Sequence, residues 1–104
     1  MTDTAAIIEA LDDANLPDQQ RRVANYVLRH TVAEGREGVI VQPVAVAHAC
    51  RMSKPDARHA LRRLVAKGIV RETSNRAYGL PPTLSINADP TTWRIPAFQT
   101  PNKE

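Results

Sequence analysis

Ser53-Lys54-Pro55-Asp56-Ala57-Arg58-His59-Ala60-Leu61-Arg62-Arg63-Leu64-Val65-Ala66-Lys67-Gly68-Ile69-Val70 is the stretch on which the fold of this chain turns. Ser53 is an N-cap residue, and Asp56 three positions later imitates a capping box with a shorter acid. Pro55 suits a first turn, where its missing N–H forfeits no helical hydrogen bond. Gly68 is the expected left-handed stop. Between these signals Ala57, Ala60, Leu61, Leu64 and Val65 gather within about 140° of the helix circumference. His59, Arg62 and Arg63 fall on the opposite side, with Lys54 and Arg58 on the margin toward the N-terminal end. The spacing predicts an amphipathic helix over 54–67, aliphatic on one face and cationic on the other, running straight into a strand.

Working upstream, Arg51-Met52-Ser53 reads as a three-residue turn, with Arg51 standing where Gly or Asn would ease a left-handed conformation. Pro43 to Cys50, rich in Ala and Val, is a short helix whose small residues let another helix approach closely. Val39-Ile40-Val41 is a β-branched run that reads as a lone strand. Residues 18–32 place Val23, Tyr26, Val27 and His30 at helical spacing, while Arg21, Arg22 and Arg29 face elsewhere. Leu16-Pro17-Asp18 separates that helix from one over residues 4–14, which carries Ile7, Ile8 and Leu11 and is too short to stand alone. Downstream, Ile69-Val70-Arg71-Glu72-Thr73 and Arg76-Ala77-Tyr78-Gly79-Leu80 are two short strands around a Ser74-Asn75 turn. Beyond Pro81-Pro82 the pattern lapses into a Pro-interrupted tail with Leu84, Ile86, Trp93, Ile95 and Phe98.

The expectation is one small, mainly α domain with a β-hairpin in a chain of 104 residues. It divides into an N-terminal helical extension (1–16), a central domain (17–80) and an extended tail (81–104). The element order of the centre is that of a winged helix-turn-helix: a three-helix core plus a wing. Apolar residues make up 42 % of the chain and charged residues 24 %, ordinary for a globular protein. No apolar run is long enough to span a membrane, and no signal pattern opens the chain. A lone Cys50 fits a reducing compartment, so the expected location is the cytoplasm.

The net charge of +3 hides an asymmetry. Residues 1–16 carry four acids and no base, whereas residues 17–80 carry twelve Arg or Lys against five acids. Concentrated positive charge points to a polyanionic partner. In a reading helix the N-terminal residues approach base edges, and arginine addresses guanine bidentately. Lys54 and Arg58 are thus the candidate base readers, with His59 and Arg62 close behind. Arg62, Arg63, Arg71 and Arg76 would hold the DNA backbone. Asp56 is expected to act as a cap and Lys67 to be solvated. Catalysis and metal binding are not expected, and no cofactor is implied. His48 and Cys50 diverge by about 200° on a helix, no acid orients a Cys–His pair, and no glycine-rich phosphate loop exists.

The run Val46-Ala47-His48-Ala49-Cys50-Arg51-Met52-Ser53-Lys54, continued by Ala60-Leu61-Arg62-Arg63-Leu64-Val65-Ala66-Lys67-Gly68-Ile69-Val70, resembles the winged helix-turn-helix of GntR-type and MarR-type bacterial regulators. The likeness rests on Ala47, Ser53, Arg58, Ala60-Leu61, Leu64, Gly68 and Ile69 and covers about residues 17–80. It implies a reading helix at 54–67, a wing at 70–80, and DNA contacts at the positions of Ser53, Lys54 and Arg58. The departures are Arg51 in the turn and Pro55-Asp56 in place of small hydroxyl residues. No effector-binding domain follows the pattern, so the expected role is a small dimeric repressor or a phage or plasmid origin-binding accessory, with double-stranded DNA as partner. The alternative is a winged-helix module that binds protein in a replication, transfer or viral host-takeover assembly. Trp93, Ile95 and Phe98 are expected to fold back over the core, the other reading being a protein partner docked on the tail.

Overall fold

The computed structural model describes residues 4–94. Four α-helices carry most of it: α1 (Thr4–Asp13), α2 (Asp18–His30), α3 (Pro43–Cys50) and α4 (Lys54–Ala66). Three short strands, β1 (Val39–Ile40), β2 (Val70–Thr73) and β3 (Thr83–Ile86), form one antiparallel sheet in the order β1-β3-β2. Among the described residues no helix is long and apolar enough to cross a membrane.

Each helix forms where its apolar period demands burial. In α2, Val23, Ala24 and Val27 are fully enclosed, and Tyr26 packs against the half-buried His30 with ring centroids 4.4 Å apart and the rings tilted by 48°. Ile7 and Leu11 anchor α1 on this core and leave Ile8 outside. The small Val46, Ala47 and Cys50 of α3 meet α4, whose Ala57, Ala60, Leu61 and Leu64 are buried and whose Val65 is half-buried. Two caps of one kind set the path through this region. Arg51 takes φ +57°, so the Met52 N–H reaches the Ala47 carbonyl at 3.0 Å and ends α3. Gly68 takes φ +76°, so the Ile69 N–H reaches the Leu64 carbonyl at 3.0 Å and ends α4.

The β part corrects the sequence reading in three places. First, residues 39–41 are not a lone strand: Val39 and Ile40 pair with Leu84 and Thr83. Gly38 permits this approach, since a Cβ there would lie 2.7 Å from the Thr83 Cγ2 methyl. Second, the strand expected over 76–80 is a 3₁₀ turn, Arg76–Tyr78, and the partner of β2 is β3, in the register Val70↔Ile86, Arg71↔Ser85 and Glu72↔Leu84. Pro81-Pro82 brings no N–H to a ladder, and Tyr78 finds no core to enter, so pairing begins at Thr83, where Leu84 and Ile86 can enter the core. Asn75 closes the resulting loop. Its side-chain amide donates to the Pro81 carbonyl (2.8 Å) and Thr83 Oγ1 (2.9 Å), and its backbone carbonyl accepts from the N–H groups of Tyr78 and Leu80.

Third, the hairpin runs past residue 80, and Leu84, Ile86 and Trp93, expected in an extended tail, are buried in the core. Asn87 follows β3 and links it to the end of α4: its N–H donates to the Ile69 carbonyl and its Nδ2 to the Gly68 carbonyl, both at 2.8 Å. The Trp93 ring is buried, with Nε1 donating to the Asn87 carbonyl at 2.9 Å. The expected fold-back therefore holds for Trp93, whereas Ile95 and Phe98 lie outside the described residues.

Candidate nucleic-acid interface

Once the apolar stripe of α4 is committed to the core, helical geometry turns its other residues to water. Ser53 caps the helix, its Oγ accepting from the Asp56 N–H at 3.2 Å, which starts α4 with Lys54 in its first turn. Lys54, Arg58, His59, Arg62 and Arg63 are all exposed, as is Ser53. Among the described residues none of the five basic side chains is in an ion pair, whereas Arg21 and Arg22 of α2 are both paired with Asp18. These basic side chains of α4 thus project above a buried aliphatic stripe.

The two flanks of this face differ. Toward α2, the Asp56 carboxylate accepts from Gln19 Nε2 at 3.3 Å and joins two helices, while the Asp56 backbone N–H is the donor that Ser53 caps. Arg63 lies near His59, with Nε donating to Nε2 at 3.4 Å. Lys67, expected to be solvated, is half-buried and donates to Gln20 Oε1 at 2.6 Å. Partial burial, helped by the charge of Arg63, lowers the Lys67 ammonium below its usual lysine value. Lys67 therefore ties α4 to α2 rather than facing outward.

Toward the sheet, Arg58 and Arg62 line a cleft of about 200 Å³ together with Leu61, Val65 and Glu72. Successive strand residues point to opposite faces, so Glu72, on the same side of β2 as Val70, faces α4, whereas Arg71 faces away. Arg71 donates to Asn87 Oδ1 at 3.3 Å and borders a depression with Arg36 and Glu37. It is not brought together with the α4 cations. Arg76 is exposed in the loop 74–82, beside Tyr78, which is 80 % exposed. That loop is much longer than the two-residue turn expected, so Arg76 and Tyr78 project at its tip.

The sequence reading missed Glu72 as a member of this surface and the exposure of Tyr78 on the 74–82 loop. Their placement depends on the β2–β3 register, and no local pattern announces a pairing that skips nine residues. Comparisons with protein-family models, with curated proteins and with solved structures return no match.

Proposed function

We propose that this chain is a sequence-specific double-stranded DNA-binding protein of the winged helix-turn-helix type, acting as a small dimeric repressor or an origin-binding accessory, with α4 in the major groove. The order α2, β1, α3, α4, β2, β3 and the sheet order β1-β3-β2 support the winged-helix assignment. The observation that carries the reading is the row Lys54, Arg58, Arg62, one turn apart on α4, exposed and without ion-pair partners among the described residues. A row of this pitch follows a groove, and its guanidiniums are donors for guanine O6 and N7 or for phosphate. Arg76 and Tyr78 stand on the loop that would reach the flanking backbone.

A second reading, a protein-binding face, is favoured by one observation. Glu72 lies in the cleft with Arg58 and Arg62, an acid where an incoming phosphate would be repelled. Selection of bound sequences from random duplexes separates the two. Enrichment of a defined site, lost in Arg58→Ala while weak binding to random duplex persists, supports base reading. The expected loss is about 1–3 kcal/mol at the site. Failure to enrich any sequence overturns it.

A further inference from the structure

The surface formed by α1, α2 and the end of α3 has two adjoining halves of opposite character. One half is the outward side of α1, where Ile8 is 44 % exposed and is flanked by the exposed acids Glu9 and Asp12. The other is a groove of about 590 Å³, with Leu28 and Ala49 in its lining and Arg22, Arg29 and Arg51 among its polar members. Arg29 and Arg51 are exposed and, among the described residues, outside every ion pair; Arg22 is shared with Asp18. Ile8 itself also lines this groove, so the acidic half and the basic half meet along one border.

We propose that this surface is a two-fold contact between copies of the chain, with Ile8 of each copy in the groove of the other and the α1 acids against Arg29 and Arg51. A rotation about an axis through the shared border carries each half onto its opposite, which is the self-complementarity that an isologous dimer requires. The apolar residue supplies the buried centre and the opposite charges around it set the register. The groove includes no residue of α4, so the contact and the cationic face of α4 use different side chains. The contact rests on the dimeric reading proposed above, and its failure would leave DNA binding through α4 standing.

Three species of the full chain test it by sedimentation: the wild type, Glu9→Arg/Asp12→Arg, and Arg29→Glu/Arg51→Glu, with circular dichroism to check that each is folded. At about 100 μM chain, well above a micromolar Kd, the wild type is expected at twice the chain mass of 11.5 kDa. Each double variant alone places like charges across the two-fold axis and is expected at the monomer mass. Mixed in equal amounts, the two variants restore opposite charges at both ends of the contact and are expected to return to the dimer mass. A monomeric wild type, variants that stay dimeric, or a mixture that stays monomeric would each overturn the assignment. So would a basic-half variant that keeps the dimer mass and loses only DNA affinity, which would make Arg29 and Arg51 phosphate contacts instead.

Discussion

Replacing Asn87 with Ala tests whether the segment after Pro82 belongs to the folded unit. The side chain is almost wholly enclosed, 5 % exposed, and its amide is saturated. Nδ2 donates to the Gly68 carbonyl (2.8 Å) and to Thr92 Oγ1 (2.7 Å), while Oδ1 accepts from the Asp89 N–H (3.1 Å) and from Arg71 (3.3 Å). Arg71, Asp89 and Thr92 are exposed, so water replaces the lost partner at little cost. The Gly68 carbonyl differs, because it lies half-buried at the cap of α4 beneath the segment that carries Trp93. Leaving such an acceptor unsatisfied costs about 1–3 kcal/mol, and the other bonds add a fraction of the usual 0.5–1.5 kcal/mol each. Asn87→Ala should therefore destabilise by about 2–3 kcal/mol, a large share of a small domain's margin. Urea unfolding should show the midpoint falling with the slope unchanged, and thermal unfolding a drop of roughly 10–20 °C. A change below about 0.5 kcal/mol, the range of ordinary surface substitutions, would show that residues 87–93 rest on the domain without supporting it.

Two further outcomes follow from the same packing. A chain ending at Leu80 loses β3, Leu84, Ile86 and Trp93 and should give no cooperative unfolding transition; a sharp one would place the domain boundary back at 80. Burial pushes the Cys50 thiol and the Tyr26 hydroxyl above their ordinary values. The folded protein thus holds these protons more tightly than the unfolded chain. Their contribution to stability is whole below about pH 9 and is lost as pH rises through the folded-state values. Lys67, lowered by burial, acts in the opposite sense at higher pH, so the comparison is made between variants: Cys50→Ala should lose stability less steeply than the wild type between about pH 8 and 10, and equal slopes would refute the buried-thiol account.

The helical part was legible because its signals are local. Ser53, Pro55 and Gly68 mark the ends of α4 within one turn of where they act, and the three-and-four spacing of Ala57, Ala60, Leu61 and Leu64 names the buried side. Arg51 illustrates the same point from the other side: the turn demands a left-handed residue there and receives one without glycine. The sheet was misread because its determinants are distant in sequence. Thr83-Leu84-Ser85-Ile86 alternates as a strand should, but its neighbouring prolines resemble those of a tail. Arg76-Ala77-Tyr78-Gly79-Leu80 has a strand's length and an aromatic residue, yet Tyr78 and Leu80 stay exposed. The site inherits the same division. Exposure of Lys54, Arg58, His59, Arg62 and Arg63 follows from the helix period alone, whereas the separation of Arg71 from them and the arrival of Glu72 among them follow from a pairing register that only the folded chain displays.

The most direct test of the α4 surface is the affinity for duplex DNA as a function of salt, for the wild type and for Lys54→Ala/Arg58→Ala/Arg62→Ala. Each phosphate neutralised contributes a slope of about −0.9 in log K against log salt. The wild type should fall with a slope of about −3 or steeper, and the triple variant should bind more weakly with a slope shallower by about two to three. Duplex affinity that is absent, insensitive to salt, or unchanged in the triple variant would contradict DNA binding through α4.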